Sequence, residues 1–224
     1  MIIVISVGGS VLSSTLEPKN FKEYAEVIKK IAIDHQVFIV TGGGPIARKY
    51  ISSARALGAN EVFCDLIGIE VARLNARLLI TALGDRAYPE IPLNYNSALQ
   101  NTLTNKIVVM GGVSPGYTTD AVAAILAEYV NADLLINATS VDGVYTEDPK
   151  NNPYAIKLDR ITPKQLIDIV IKTEMKAGSN SPFDPVAAKI IERCKIKTIV
   201  LDGTNPSNII DAVLGKHNGT EIRY

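Results

Sequence analysis

The apolar positions of the chain alternate between two periods. Residues 2–7 form an apolar run interrupted only by Ser6, the pattern of a strand buried on both faces. Over residues 18–34 the apolar positions Phe21, Tyr24, Ala25, Ile28, Ile31 and Ala32 recur every three or four residues, which predicts an amphipathic helix. Val37, Phe38, Ile39, Val40 and Thr41 predict a second buried strand, and Ile46, Ala47, Tyr50, Ile51, Ala54 and Leu57 a helix after it. A long helical pattern covers 61–83. Its Asp65, Arg73, Asn75 and Arg77 read as a solvated face, with Asp65, near the helix start, kept as a functional candidate. Residues 86–92 contain two prolines and predict an irregular or edge strand. Further strands are predicted at 106–110, 133–138, 198–201 and near Glu221, and further helices at 121–130, 162–172, 184–194 and 206–214.

Strands alternating with helices imply a three-layer αβα sandwich with a mostly parallel central sheet, in which ligands bind at the carboxyl ends of strands. The runs ending at Val7, Val40, Met110 and Ala138 lead into glycine- or hydroxyl-rich loops. The most pronounced is Gly42-Gly43-Gly44-Pro45, between a strand and a helix. Glycines there let the backbone approach a ligand, Pro45 suits a first helical position, and the helix start favours an anion. Gly8-Gly9-Ser10 and Gly111-Gly112 occupy equivalent places, and Thr118-Thr119-Asp120 opens a helix as an N-cap pair with an acid beside the dipole. So many phosphate-competent loops on one edge imply more phosphate than one mononucleotide carries.

Composition narrows the possibilities. The chain has 224 residues, is 47% hydrophobic and 21% charged, and carries no net charge, so no electrostatic case exists for nucleic acid or an anionic membrane as main partner. The N-terminal apolar run lacks a basic lead and stops at Gly8, and no apolar run approaches a membrane span; the expected location is the cytoplasm. Cys64 and Cys194 lack metal-ligand spacing and read as ordinary thiols in a reducing compartment. His35 and His217, both read as surface residues, supply no Ser/His/Asp constellation. Neither a G-x-x-x-x-G-K-[ST] loop nor a G-x-G-x-x-G fingerprint is present. Phosphoryl transfer fits best, because it needs positioning and charge neutralisation more than a nucleophile, with Mg2+ bridging the donor phosphates.

Gly8-Gly9-Ser10, Gly42-Gly43-Gly44, Gly111-Gly112 with Gly116-Tyr117-Thr118-Thr119-Asp120, and Val141-Asp142-Gly143-Val144-Tyr145 with Asp148-Pro149 occur in that order. This set resembles the amino-acid kinase family over nearly the whole chain, and within it the uridylate kinases of archaeal type. The resemblance implies transfer of the ATP γ-phosphate to UMP, Mg2+ held mainly by ATP phosphates with no protein metal site, and a homohexamer. It implies one domain, with an acceptor lobe of about 1–137 and a nucleotide lobe of about 138–224, residues 150–153 being a mild alternative boundary. By motif, ATP would meet Gly8, Gly9, Ser10, Gly44, Arg48, Thr139, Tyr145 and Asp148, and UMP would meet Gly43, Asp65, Val113, Ser114, Pro115, Gly116, Tyr117, Thr118 and Thr119. Arg48 and Asp142 form the catalytic set, Asp142 as organiser of its loop. Many family members carry a lysine where this chain has Ser6, and their second lysine loop is matched only by Lys176-Ala177-Gly178-Ser179. The alternatives are an acetylglutamate kinase, an isopentenyl phosphate kinase, for which neither histidine is placed, or a nucleotide-binding sensor without turnover.

Overall fold

The computed structural model describes residues 1–149, 151–174 and 183–224. A seven-stranded sheet in the order β3-β2-β1-β4-β8-β9-β7 forms its middle layer. The strands are β1 (Ile2–Val7), β2 (Gln36–Thr41), β3 (Val108–Met110), β4 (Leu134–Thr139), β7 (Arg160–Ile161), β8 (Thr198–Asp202) and β9 (Thr220–Ile222); a separate pair, β5 (Val144–Tyr145) and β6 (Lys157–Leu158), makes an antiparallel hairpin. Within the sheet only β8 and β9 pair antiparallel.

Strand register sets up the functional edge. Val7 lies opposite Thr41 on β2 and Ala138 on β4, Val40 opposite Met110, and Thr139 opposite Asp202. The residues after these positions, Gly8, Gly42, Gly111 and Gly203 among them, are therefore brought to a common carboxyl edge. Side chains alternate between the faces of β1. Ile3, Ile5 and Val7 pack in one core with residues of α2 (Pro18–Ile31), α4 (Glu61–Leu83) and α9 (Ser207–Val213). Val4 packs in the other core with α6 (Thr119–Tyr129), α7 (Pro163–Glu174) and α8 (Pro185–Cys194). Three layers result, as the alternation of periods predicts.

α3 (Gly44–Ala56) follows the triple glycine and packs beside α4. The start of α4 is fixed by Asn60, whose side chain accepts from the Phe63 amide at 2.9 Å, and its end by Gly84 at φ 59°. Several short elements escape the periodic pattern: α1 (Gly9–Leu12), α5 (Tyr95–Gln100), β7 and the β5–β6 hairpin. None is long enough to display a period, and α1 is held by burying Val11 and Leu12. Residues 86–92 supply no full strand; a 3-10 turn (Gly84–Arg86) leads to one parallel bridge, Ala87 to Ile107, at the sheet edge. The surface reading of His217 is corrected: its side chain is only 10% exposed and stands 3.8 Å from Glu221. Lys176-Ala177-Gly178-Ser179 lies outside the described residues.

α2 also supports the carboxyl edge. Tyr24 is 1% exposed and its hydroxyl donates to the Gly203 carbonyl at 2.6 Å, just beyond β8. Burial, and then the charge of Asp202, push the phenol above its ordinary range. Tyr24→Phe leaves that carbonyl unpaired and is expected to cost about 1–3 kcal/mol in urea unfolding. An unchanged midpoint would show that the hydroxyl contributes nothing there.

Candidate active site

The first two glycine loops touch through their backbones. A methyl built on Gly9 would lie 2.2 Å from the Gly44 nitrogen and 2.6 Å from the Gly42 oxygen, and Gly44 itself has φ 66°. No side chain fits at this contact. The amides of Gly8 and Gly42 extend the sheet, donating to Ala138 O and Val7 O at 2.9 Å each. The amides of Gly9, Ser10, Gly43 and Gly44 stand near helix starts, whose first N–H groups lack intrahelical partners. Thr139 adjoins the same edge, its Cα 3.8 Å from a methyl built on Gly8.

The third loop is held by α4. Asp65 accepts from the Gly116 amide at 2.8 Å, with Gly116 at φ 82°, and Arg73 Nε donates to Gly112 O at 3.0 Å. Gly111 is required by close approach: a methyl there would lie 2.7 Å from the Arg73 nitrogen. Val113, Ser114, Pro115, Gly116 and Tyr117 thus form a loop strapped to α4, leading to Thr118 and Thr119 at the start of α6. The Thr118 hydroxyl is already engaged: it caps Ala121 N at 3.1 Å and donates to Asp184, which itself caps α8. Thr119 faces the glycine loop, its Oγ1 3.4 Å from a methyl built on Gly42.

Ser6 and Asp120 meet beneath these loops. The Ser6 hydroxyl donates to Asp120 Oδ1 at 2.9 Å. Desolvation, opposed by that hydrogen bond and aided by the charge of Asp184, pushes the Asp120 carboxyl up to about 7.

A second group of predicted residues surrounds the β5–β6 hairpin. Asp142 accepts from Tyr145 at 2.8 Å and from Lys157 at 3.0 Å. Desolvation acts to raise its pKa, but these hydrogen bonds prevail and hold it below the ordinary carboxylate range. Asp148 is buried and accepts from Asn151 at 3.0 Å. Both carboxylates thereby order the chain around them. Arg48 stands exposed on α3, one turn past Gly44 and on the same helix face.

The solvated-face reading of α4 needs correction. Asn75 is buried, and its amide donates to Ser13 Oγ at 2.9 Å and Gly42 O at 2.8 Å. The sequence carried a signal for this: Asn75 shares a three- and four-residue spacing with the buried Ala72 and Leu79. Arg73 points its guanidinium at a backbone carbonyl of the third loop. Nothing in the sequence pattern distinguishes it from a solvated arginine.

Comparison with known proteins places this geometry. Residues 1–202 match the sequence profile of the amino acid kinase family. A uridylate kinase of Methanococcoides burtonii is 60% identical over 214 residues, 96% of this chain and 92% of its own length. One from Methanocella arvoryzae is 56% identical over 223 residues, spanning 100% of both chains. The crystal structure of uridylate kinase from Archaeoglobus fulgidus superimposes with TM-score 0.91 at 51% identity, covering 99% of this chain and 100% of that one.

The Asp120 environment has a pH consequence. Its folded-state pKa of about 7 lies above the ordinary 3.8, so the folded state holds the proton more tightly than the unfolded chain. The stability this group contributes is complete below 3.8 and is lost as pH rises through about 7. Asp120→Asn mimics the protonated form and keeps an acceptor for Ser6. Relative to the native chain it is expected to gain stability at pH 8 over its value at pH 5, measured by urea unfolding. A stability difference independent of pH would contradict the assignment.

Proposed function

The chain belongs to the amino acid kinase family, and we propose that it is a uridylate kinase, transferring the ATP γ-phosphate to UMP to give UDP and ADP in pyrimidine nucleotide synthesis. The observation that carries this reading is the pairing of Asp65 with the loop that ends at the start of α6. A carboxylate suits a ribose diol and a helix N-terminus suits a phosphate, so one loop can read both ends of a nucleoside monophosphate. Near full-length identity to uridylate kinases supports the same substrate over acetylglutamate or isopentenyl phosphate. It also favours turnover over a sensor.

In this reading Gly43, Asp65, the loop 113–117 and the Thr118-Thr119 pair hold UMP. ATP phosphates lie over Gly9, Ser10 and Gly44, beside Gly8 and Thr139, with Tyr145 and Asp148 toward the adenosine. Since Thr118 is engaged with Asp184, the hydroxyl with most freedom to reach the acceptor phosphate is that of Thr119. The acceptor half (about 1–137) and the nucleotide half (about 138–224) are functional divisions of one fold, since Leu135, Ile136 and Asn137 on β4 pair with Thr198, Ile199 and Val200 on β8 across them.

Among the described residues, no group of three or more His, Cys, Asp or Glu is arranged to hold a metal. An ion bound by phosphate oxygens and water needs no such cage, so the residues suit Mg2+ carried by ATP, where it would neutralise charge on the transferred group. Among the described residues the cation we assign to this role is Arg48, whose planar fork can grip two phosphate oxygens where Ser6 offers no charge. Apolar side chains exposed on α4, including Val62, Phe63, Leu74 and Leu78, support association of copies into a homohexamer. No described helix is long and apolar enough to cross a membrane, and we assign the protein to the cytoplasm, with no nucleic-acid partner.

ADP release measured with UMP, CMP, acetylglutamate and isopentenyl phosphate as acceptors tests the reading; UMP should turn over fastest by a wide margin, and a preference for another acceptor would overturn it. Asp65→Asn is expected to raise the UMP KM about 10- to 100-fold, the weight of charge-assisted hydrogen bonds worth about 1.5–3 kcal/mol, with little change for ATP. A loss confined to the ATP KM would remove Asp65 from the acceptor site. Arg48→Ala is expected to lower kcat about 10²- to 10³-fold, the scale of one preorganised electrostatic contact. If kcat is unaltered, metal and backbone suffice.

A further inference from the structure

We propose that Asn75 is a positioning residue for phosphoryl transfer, setting the orientation of the two glycine loops through a buried relay that includes Ser13. The inference rests on the uridylate kinase reading and deepens it. Asn75 is 2% exposed and Ser13 is fully buried, so their polar groups must find partners inside the protein. The Asn75 amide has two N–H donors. One reaches Ser13 Oγ at 2.9 Å and the other Gly42 O at 2.8 Å. The Ser13 hydroxyl, having accepted the first, donates its own proton to Gly9 O at 2.9 Å, reinforcing the Ser13 amide, which donates to the same carbonyl at 3.1 Å. Every proton in the relay is used, and the relay works in one direction only, because both ends are carbonyl oxygens.

Those two carbonyls belong to the loops that meet through their backbones at Gly9 and Gly44. A trans peptide unit is planar, with its C=O and N–H pointing in opposite directions. Anchoring Gly9 O inward therefore aims the Ser10 N–H outward, and anchoring Gly42 O to α4 aims the Gly43 N–H away from α4. These are two of the amides left for ligand contact after Gly8 and Gly42 spend theirs on the sheet. Thr41, at the end of β2, adds a second tie, its hydroxyl donating to the α4 carbonyl of Ala72 at 2.8 Å. Donors held in place before the reaction stabilise developing charge without reorganising. The side chain of Asn75 thus acts on the reaction from the rear of the loops, without touching a substrate.

The test is steady-state kinetics on the full-length chain with ATP and UMP varied, at a temperature where thermal melts show each variant folded. Asn75→Ala is expected to lower kcat about 10- to 100-fold while both KM values stay within about threefold, because the loops still bind but no longer hold their donors in register. Asn75→Asp preserves size but sets a carboxylate against Gly42 O, and should do no better than the alanine. Ser13→Ala removes the hydroxyl arm to Gly9 and the acceptor of one Asn75 N–H, while the Ser13 amide still holds Gly9 O, and should lower kcat less, by about 3- to 10-fold. A lowered melting temperature with kcat within twofold of native in the folded variants would make Asn75 a purely structural residue and overturn the proposal. Should Asn75→Ala fail to fold, Ser13→Ala decides: unchanged kcat there also overturns it. A native chain that does not phosphorylate UMP would instead refute the functional reading, so the two failures are separate.

Discussion

One helix carries the geometry on which the site depends. α4 reaches the third loop at two points, through Asp65 to the Gly116 amide and through Arg73 to Gly112 O. It reaches the glycine loops at two more, through Asn75 to Gly42 O and to Ser13. Glycine at 111 lets the third loop lie directly on the α4 backbone. The parallel sheet brings the loops to one edge, but strand register alone leaves each free to turn about its own glycines. A rigid rod crossing all of them removes that freedom. Asp65 and Asn75 are separated by about 15 Å along the rod, at 1.5 Å per residue, so the two sets of ties fall on separate loops.

Electrostatics around the loops follows from the absence of a cation at residue 6. With Ser6 there, β1 presents a hydroxyl, and its partner is a carboxyl, Asp120, that burial pushes up to about 7. In the proposed reaction, charge neutralisation then falls to loop amides, the metal that would accompany ATP, and Arg48. Asp142, held below the ordinary carboxylate range by hydrogen bonds from Tyr145 and Lys157, fastens the β5–β6 hairpin.

Much of this was legible in the sequence, for physical reasons that can be stated. Buried parallel strands are apolar on both faces, so β1, β2 and β4 stand out as runs, and glycines after them mark where backbones must approach. Long helices repeat often enough to reveal a period, so α2, α3 and α4 were legible to within a few residues. The hairpin and α1 were not, because two to four residues show no period and their stability comes wholly from tertiary packing. The roles of Asn75 and Ser13 were hidden for a different reason. A polar residue on a helix is read as solvated unless its spacing is compared with the buried stripe, and Ser13 is brought under the loops only by the turn of α1. Asp184 likewise meets Thr118 from 66 positions away, a contact no local pattern encodes.

The central claim is that α4 holds the acceptor and donor loops in a common register. A double-mutant cycle on kcat/KM for UMP with Asp65→Ala and Asn75→Ala measures it. Sites about 15 Å apart that act independently add to within about 0.5 kcal/mol. If α4 is a shared frame, losing either tie already frees one loop relative to the other, and the second loss costs less. The account predicts a coupling of about 1 kcal/mol or more, with the double variant better than the sum of the single losses. Strict additivity would contradict it.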